Sequence, residues 1–65
     1  MWVKVNLVID GVGIIPMEGE LEGVIRQAKR IAKEKKSKEF LIKCQTKKHI
    51  FGIWKKKNGK WIREW

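Results

Sequence analysis

The chain reads as a small α+β domain: a mainly antiparallel sheet in the order β-(β)-α-β-β-β, with one amphipathic helix packed on one face. Three observations carry that expectation. Residues 2–9 alternate apolar and polar side chains, residues 19–36 repeat apolar side chains at helical spacing, and Asn58-Gly59 stands between two apolar, Lys-rich runs. Period-two alternation is the mark of a half-buried strand, three-to-four spacing that of an amphipathic helix, and Asn-Gly the strongest short hairpin signal. The 65 residues make one domain, 1–65, with a thin core and no internal disulfide, since Cys44 is the only cysteine.

In the first strand Val3, Val5, Leu7 and Ile9 share one face, and Trp2, Lys4, Asn6 and Val8 the other. Asp10-Gly11 predicts a two-residue turn with positive φ at both positions. Val12 to Ile15 then returns as a short strand, which Pro16 ends unless that strand lies on a free edge, because proline has no N–H to give. In the helix Leu21, Val24, Ile25, Ala28, Ile31 and Ala32 form one apolar stripe. Glu18, Glu20 and Glu22 near its start and Lys33, Lys35 and Lys36 near its end suit the helix dipole. Ile25, Ile31, Phe40 and Ile42 are expected between helix and sheet.

Three strands follow, over 39–46, 49–57 and 60–65. A two-residue turn at Asn58-Gly59 pairs Lys57 with Lys60, Lys56 with Trp61, Lys55 with Ile62 and Trp54 with Arg63. The link at Lys47-Lys48 carries no turn residue, so two registers are open. A tight turn there puts Phe40, Ile42, Cys44, Phe51, Ile53 and Ile62 on the core face, leaving Leu41, Ile50, Trp54, Trp61 and Trp65 opposite. Three-residue loops with a bulge at both turns bring Trp54 inside and turn Phe51 and Ile53 out. In both, Trp61, Arg63 and Trp65 are expected away from the helix.

Charge is divided along the chain. Residues 1–25 carry one base against four acids, a net −3, whereas residues 26–65 carry fifteen bases against three acids, a net +12; the whole is +9. The topology carries the lysines after the helix to the same end of the sheet as those of the last hairpin. A concentrated positive end favours a polyanion, through counterion release and steering. Ordinary solvated surface is the competing explanation. Four tryptophans are too many for so small a core to hide. Exposed beside Lys and Arg, they would stack on unpaired bases. The competing roles are cross-strand pairs, Lys56 with Trp61 and Arg63 with Trp54, or a homodimer seam through Trp61 and Trp65. Trp2 is expected to pack.

The expected function is therefore a non-catalytic nucleic-acid-binding module with weak sequence preference and a leaning to single strands. Lys35, Lys36, Lys38, Lys55, Lys56, Lys57 and Lys60 would hold phosphate; Trp61 and Arg63, with Trp54 in support, would stack. The alternative is a small inhibitor or adaptor, of a kind viruses and mobile elements encode, that binds an acidic protein surface. Other classes find little footing. Gly11-Val12-Gly13 lacks the third glycine and the helix of a phosphate loop. His49 has no partner for acid–base catalysis, so no enzyme is expected. One His and one Cys do not make a zinc site, and no cofactor motif is present. Cys44 reads as a buried, inert thiol. The longest apolar run, Leu7-Val8-Ile9, is far below the roughly 20 residues of a membrane span. With one cysteine and no visible signal peptide, a cytoplasmic location is expected.

Overall fold

The computed structural model describes residues 1–65. Its elements are β1 (Trp2–Ile9), β2 (Gly13–Glu20), α1 (Leu21–Glu34), β3 (Glu39–Cys44), β4 (Ile50–Lys57) and β5 (Lys60–Arg63). All five strands join one antiparallel sheet in the order β2-β1-β3-β4-β5, and α1 lies across β2, β1 and β3. No helix is long and apolar enough to cross a membrane.

The first hairpin departs from the expected tight turn. Asp10 to Val12 form a three-residue loop, closed by the Val12 N–H donating to the Ile9 carbonyl at 3.0 Å. Only Gly11 of its two turn residues has positive φ, +80°, as a turn with glycine in the third place requires. β2 then runs five residues past Ile15. Pro16 sits inside it, opposite Asn6, because β2 is an edge strand and its outward side needs no N–H.

Helix α1 starts at Leu21, where the stripe begins and two residues inside the expected span 19–36. Glu20 holds extended backbone (ψ 138°), and its side chain caps nothing. The Leu21 N–H instead donates to the Met1 carbonyl at 2.9 Å, and the Met1 ammonium meets the Glu20 carboxylate at 2.5 Å. At the other end the Lys36 N–H donates to the Lys33 carbonyl and the Ser37 N–H to that of Ala32. That paired closure sets Lys36 in left-handed backbone, φ +56°, a place glycine usually takes.

The core lies between α1 and one face of the sheet. Val24, Ala28 and Ala32 point inward onto Val3, Val5, Leu7, Ile9, Met17, Phe40 and Ile42. Two alanines at the centre of the buried stripe let the helix approach closely. Ile25 and Ile31, expected inside, flank the contact and are half-buried. Phe40 and Ile42 are buried as expected.

The β3–β4 register decides what the rest of the sheet presents. Phe40 pairs with Trp54, Leu41 with Ile53 and Ile42 with Gly52; beyond Ile42 the register shifts, and Lys43 pairs with Ile50. One extra residue, Phe51, is thus inserted into β4 as a bulge, and the link is a five-residue loop, Gln45 to His49. Neither expected register holds whole. Trp54 is inside, 4% exposed, and Ile53 is outside, yet Phe51 still packs against the core. The Asn58-Gly59 hairpin is as expected: both residues have positive φ, and all four cross-strand pairs match.

Candidate functional site

Because the Asn58-Gly59 turn is tight, β5 inherits the facing of β4. Trp54 stands opposite Arg63, and Lys56 opposite Trp61, so these four share the helix side of the sheet. Trp61 and Arg63 therefore do not lie away from the helix, as the sequence suggests. The reason is the mixed register, one looped and bulged turn followed by one tight turn, which swings the whole last hairpin over by one face.

There the side chains complete the core where α1 stops. Phe40 and Trp54 stack with centroids 5.2 Å apart and planes 8° from parallel, and Trp61 meets Phe40 edge-on at 4.9 Å. The Lys56 ammonium lies 5.4 Å from the Trp61 ring centroid, and the Arg63 guanidinium 5.4 Å from that of Trp54. These are the cross-strand cation–π pairs. Arg63 is tied further: its guanidinium donates to the Phe51 carbonyl, and its Nε to the Trp65 carbonyl at 2.8 Å. Trp65 lies beyond β5, is 63% exposed, and lines an open groove with Leu21, Phe51 and Arg63, so it, too, does not lie away from the helix. Trp2 is not packed either. It is 65% exposed, and its indole N–H donates to Glu18 at 3.1 Å.

The lysine runs meet as expected at one end of the sheet. The Lys56 N–H donates to the Lys38 carbonyl at 2.9 Å, which fixes the segment after α1 beside the last hairpin. Strand alternation then splits the Lys55-Lys56-Lys57 run. Lys56 points to the helix side; Lys55 and Lys57 point to the other and share Glu64, at 3.4 and 2.9 Å. Their ammonium groups hold the Glu64 carboxyl below its ordinary range. The stability these pairs add is complete above that range and is lost as pH falls through the lowered pKa. Lys35, Lys36, Lys38 and Lys60 are exposed and make no ion pair. Asp10 and Glu39 share this end, joined by the Asp10 N–H and the Glu39 carbonyl at 3.5 Å.

A basic surface missing from the sequence reading lies on α1. Arg26, Arg30 and Lys33 follow i, i+4, i+7 spacing on the exposed side, with Lys29 beside them, and Gly23, Arg26, Gln27 and Arg30 line a shallow depression. The i, i+4, i+7 spacing of these bases is the signal of this surface in the sequence. At its C-terminal end this ridge continues into Lys35, Lys36 and Lys38.

Cys44 is half-buried, not fully buried as its place in an apolar strand suggests, because β3 ends there and the helix does not reach it. The Thr46 hydroxyl lies 3.6 Å from Sγ, and with the Thr46 and Lys47 backbone N–H groups it draws the thiol below its ordinary pKa. His49 is exposed, edge-on to Phe51 at 4.8 Å, and both it and Cys44 line an open groove with Trp2, Val3 and Phe51. No three His, Cys, Asp or Glu side chains gather as a metal site would need. Set against protein-family models, curated proteins and solved structures, the chain matches none.

Proposed function

We propose that the chain is a non-catalytic nucleic-acid-binding module that holds the phosphate backbone along α1 and the end it leads to. The supporting observation is continuity. Arg26, Arg30 and Lys33 run along the outer side of the helix into Lys35, Lys36 and Lys38, and the 2.9 Å bond from Lys56 to Lys38 carries that line onto the hairpin, where Lys60 is free. On that side Arg26, Lys29, Arg30 and Lys33 outnumber Glu22 and Glu34, and a net-positive ridge matches a polyanion, whose affinity grows with each phosphate neutralised. On this reading Lys55 and Lys57 contribute little, since Glu64 holds them on the far side, and Arg63 and Trp54 belong to the fold. Trp61 keeps one half-exposed flank with Lys56 across it, which makes stacking a minor part. Backbone binding then shows little preference between single and double strands, a change from the leaning the tryptophans suggest.

The test is electrophoretic binding of single-stranded and duplex DNA and RNA over a salt series. Replacing Arg26, Arg30 and Lys33 together by Gln should lower the slope of log affinity against log salt by about two to three units. Replacing Lys55 and Lys57 by Gln should change it by less than about one. Equal slopes for wild type and the helix variant would refute the reading.

A further inference from the structure

The face of the sheet turned away from α1 has no cover, and it is more apolar than its exposure explains. One row runs straight across four strands: Ile14 of β2, Val8 of β1, Leu41 of β3 and Ile53 of β4, each paired with the next. Ile14 is 59% exposed, and the other three are half-buried with nothing above them. Ile50 and Ile62 flank the row on the same face. Scattered apolar side chains are normal on a surface, but a continuous row through the middle of a sheet marks a contact.

We propose that this face binds a second copy of the chain, as an isologous dimer whose two-fold axis runs along the apolar row. Charge selects both the occupant and the axis. Glu39 and Lys43 stand on this face two residues to either side of Leu41, and neither makes an ion pair within the chain. Sheets packed face to face keep their strands within about 30° of alignment. Two in-plane axis directions satisfy that, along the strands and across them, each taken here through Leu41. An axis along β3 sets Glu39 on its own copy, Lys43 on its own copy and Ile14 against Glu64, so its two Asp10–Lys55 contacts are offset by two like-charge ones. An axis along the row exchanges the two sides of the row: Glu39 meets Lys43 of the second copy, twice by symmetry, while Val8, Leu41 and Ile53 meet themselves. Asp10 then faces Asn6. The one like-charge meeting is Glu64 with its copy at the rim, where Lys55 and Lys57 already neutralise each. A face of five strands and up to eight residues measures roughly 19 by 26 Å, about 500 Å² a side. That is the low end for a specific interface, so dimerisation should depend on concentration. The dimer is a four-layer stack, helix-sheet-sheet-helix, which leaves both outer helix faces free. It stands independently of the nucleic-acid reading.

Sedimentation equilibrium of the full chain, from micromolar to about 1 mM, tests the association. A dimer should form across that range. Leu41→Glu, which sets a carboxylate against its own copy on the axis, should move the midpoint at least about tenfold higher. Glu39→Lys should raise it about three- to tenfold, and the double variant Glu39→Lys/Lys43→Glu should return it towards wild type. In wild type, with no substitution to unfold the chain, isotope-filtered NMR on mixed labelled and unlabelled protein should show intermolecular contacts from Val8, Leu41 and Ile53. A monomer at every concentration, or intermolecular contacts from other residues, would overturn the proposal. A folded Leu41→Glu variant that dimerises as before would do the same, and failure of the double variant to recover would overturn the axis.

Discussion

One face of one sheet is buried in two different ways. Over β2, β1 and β3 the cover is a helix, and the contact is aliphatic: Val24, Ala28 and Ala32 against Val5, Leu7 and Ile9. Over β4 and β5 no helix arrives, and the strands cover themselves. Trp54 lies flat on Phe40, Trp61 closes its edge, and Lys56 and Arg63 lay their long side chains over the two indoles. α1 lies over β2, β1 and β3 only, so the remaining core is made of residues large enough to bury area without a partner element. The charged side chains here are part of that cover, their heads over the rings and that of Arg63 tied to the Phe51 and Trp65 carbonyls. Tryptophan and arginine together on a strand therefore do not by themselves mark a binding surface.

Three substitutions bear on that contrast. Phe40 belongs to both halves, being 1% exposed beneath the aromatic stack and beside the helix-covered strands. Phe40→Ala should cost roughly 3–5 kcal/mol, enough to unfold much of the population, as chemical denaturation will read. A variant that melts like wild type would mean the halves are not joined there. Gly52 belongs to the self-covered half alone. A Cβ at that position would meet Trp54 at 2.6 Å and the Arg63 Nε at 2.8 Å. Gly52→Ala should cost about 1–3 kcal/mol, and hydrogen exchange should quicken in β4 and β5 more than in β1 and β2. Uniform quickening would show one cooperative unit. Lys36 belongs to the helix-covered half, where a lysine occupies left-handed backbone. Lys36→Gly should raise stability by about 1 kcal/mol, seen as a higher melting temperature, without touching the hairpin.

The sequence made the elements legible and the facing of the last hairpin illegible, for a definite reason. Val3, Val5, Leu7 and Ile9 keep period two despite Trp2 and Val8, the stripe from Leu21 to Ala32 has one period, and Asn58-Gly59 admits one turn. Gln45 to His49 offers neither glycine nor proline to fix its geometry, and a single inserted residue at Phe51 moves Trp54, Trp61 and Arg63 to the other side together. One signal of the bulge was in view: Gly52, inside an apolar strand, is where a strand bends or another side chain comes close. The basic end was legible from topology, since the helix and the last hairpin must finish together. Which lysines are free was not, because alternation and Glu64 decide it side chain by side chain.

The strand order also bears on how the chain finds its structure. β1 with β2, β3 with β4, and β4 with β5 are joined by short links, so each pair forms from neighbours in sequence. The seam between β1 and β3 is different. Val5 meets Cys44 and Ile9 meets Phe40 across a stretch that includes all of β2 and α1, and Gln45 fastens its end through bonds to the Lys4 and Val5 carbonyls. Closing so long a loop costs entropy before any contact returns it. Docking along this seam is the pairing with the largest loop-closure cost. Until it closes, β1 and β3 each hold out a bare edge in the middle of the future sheet, where another unfolded chain could pair instead.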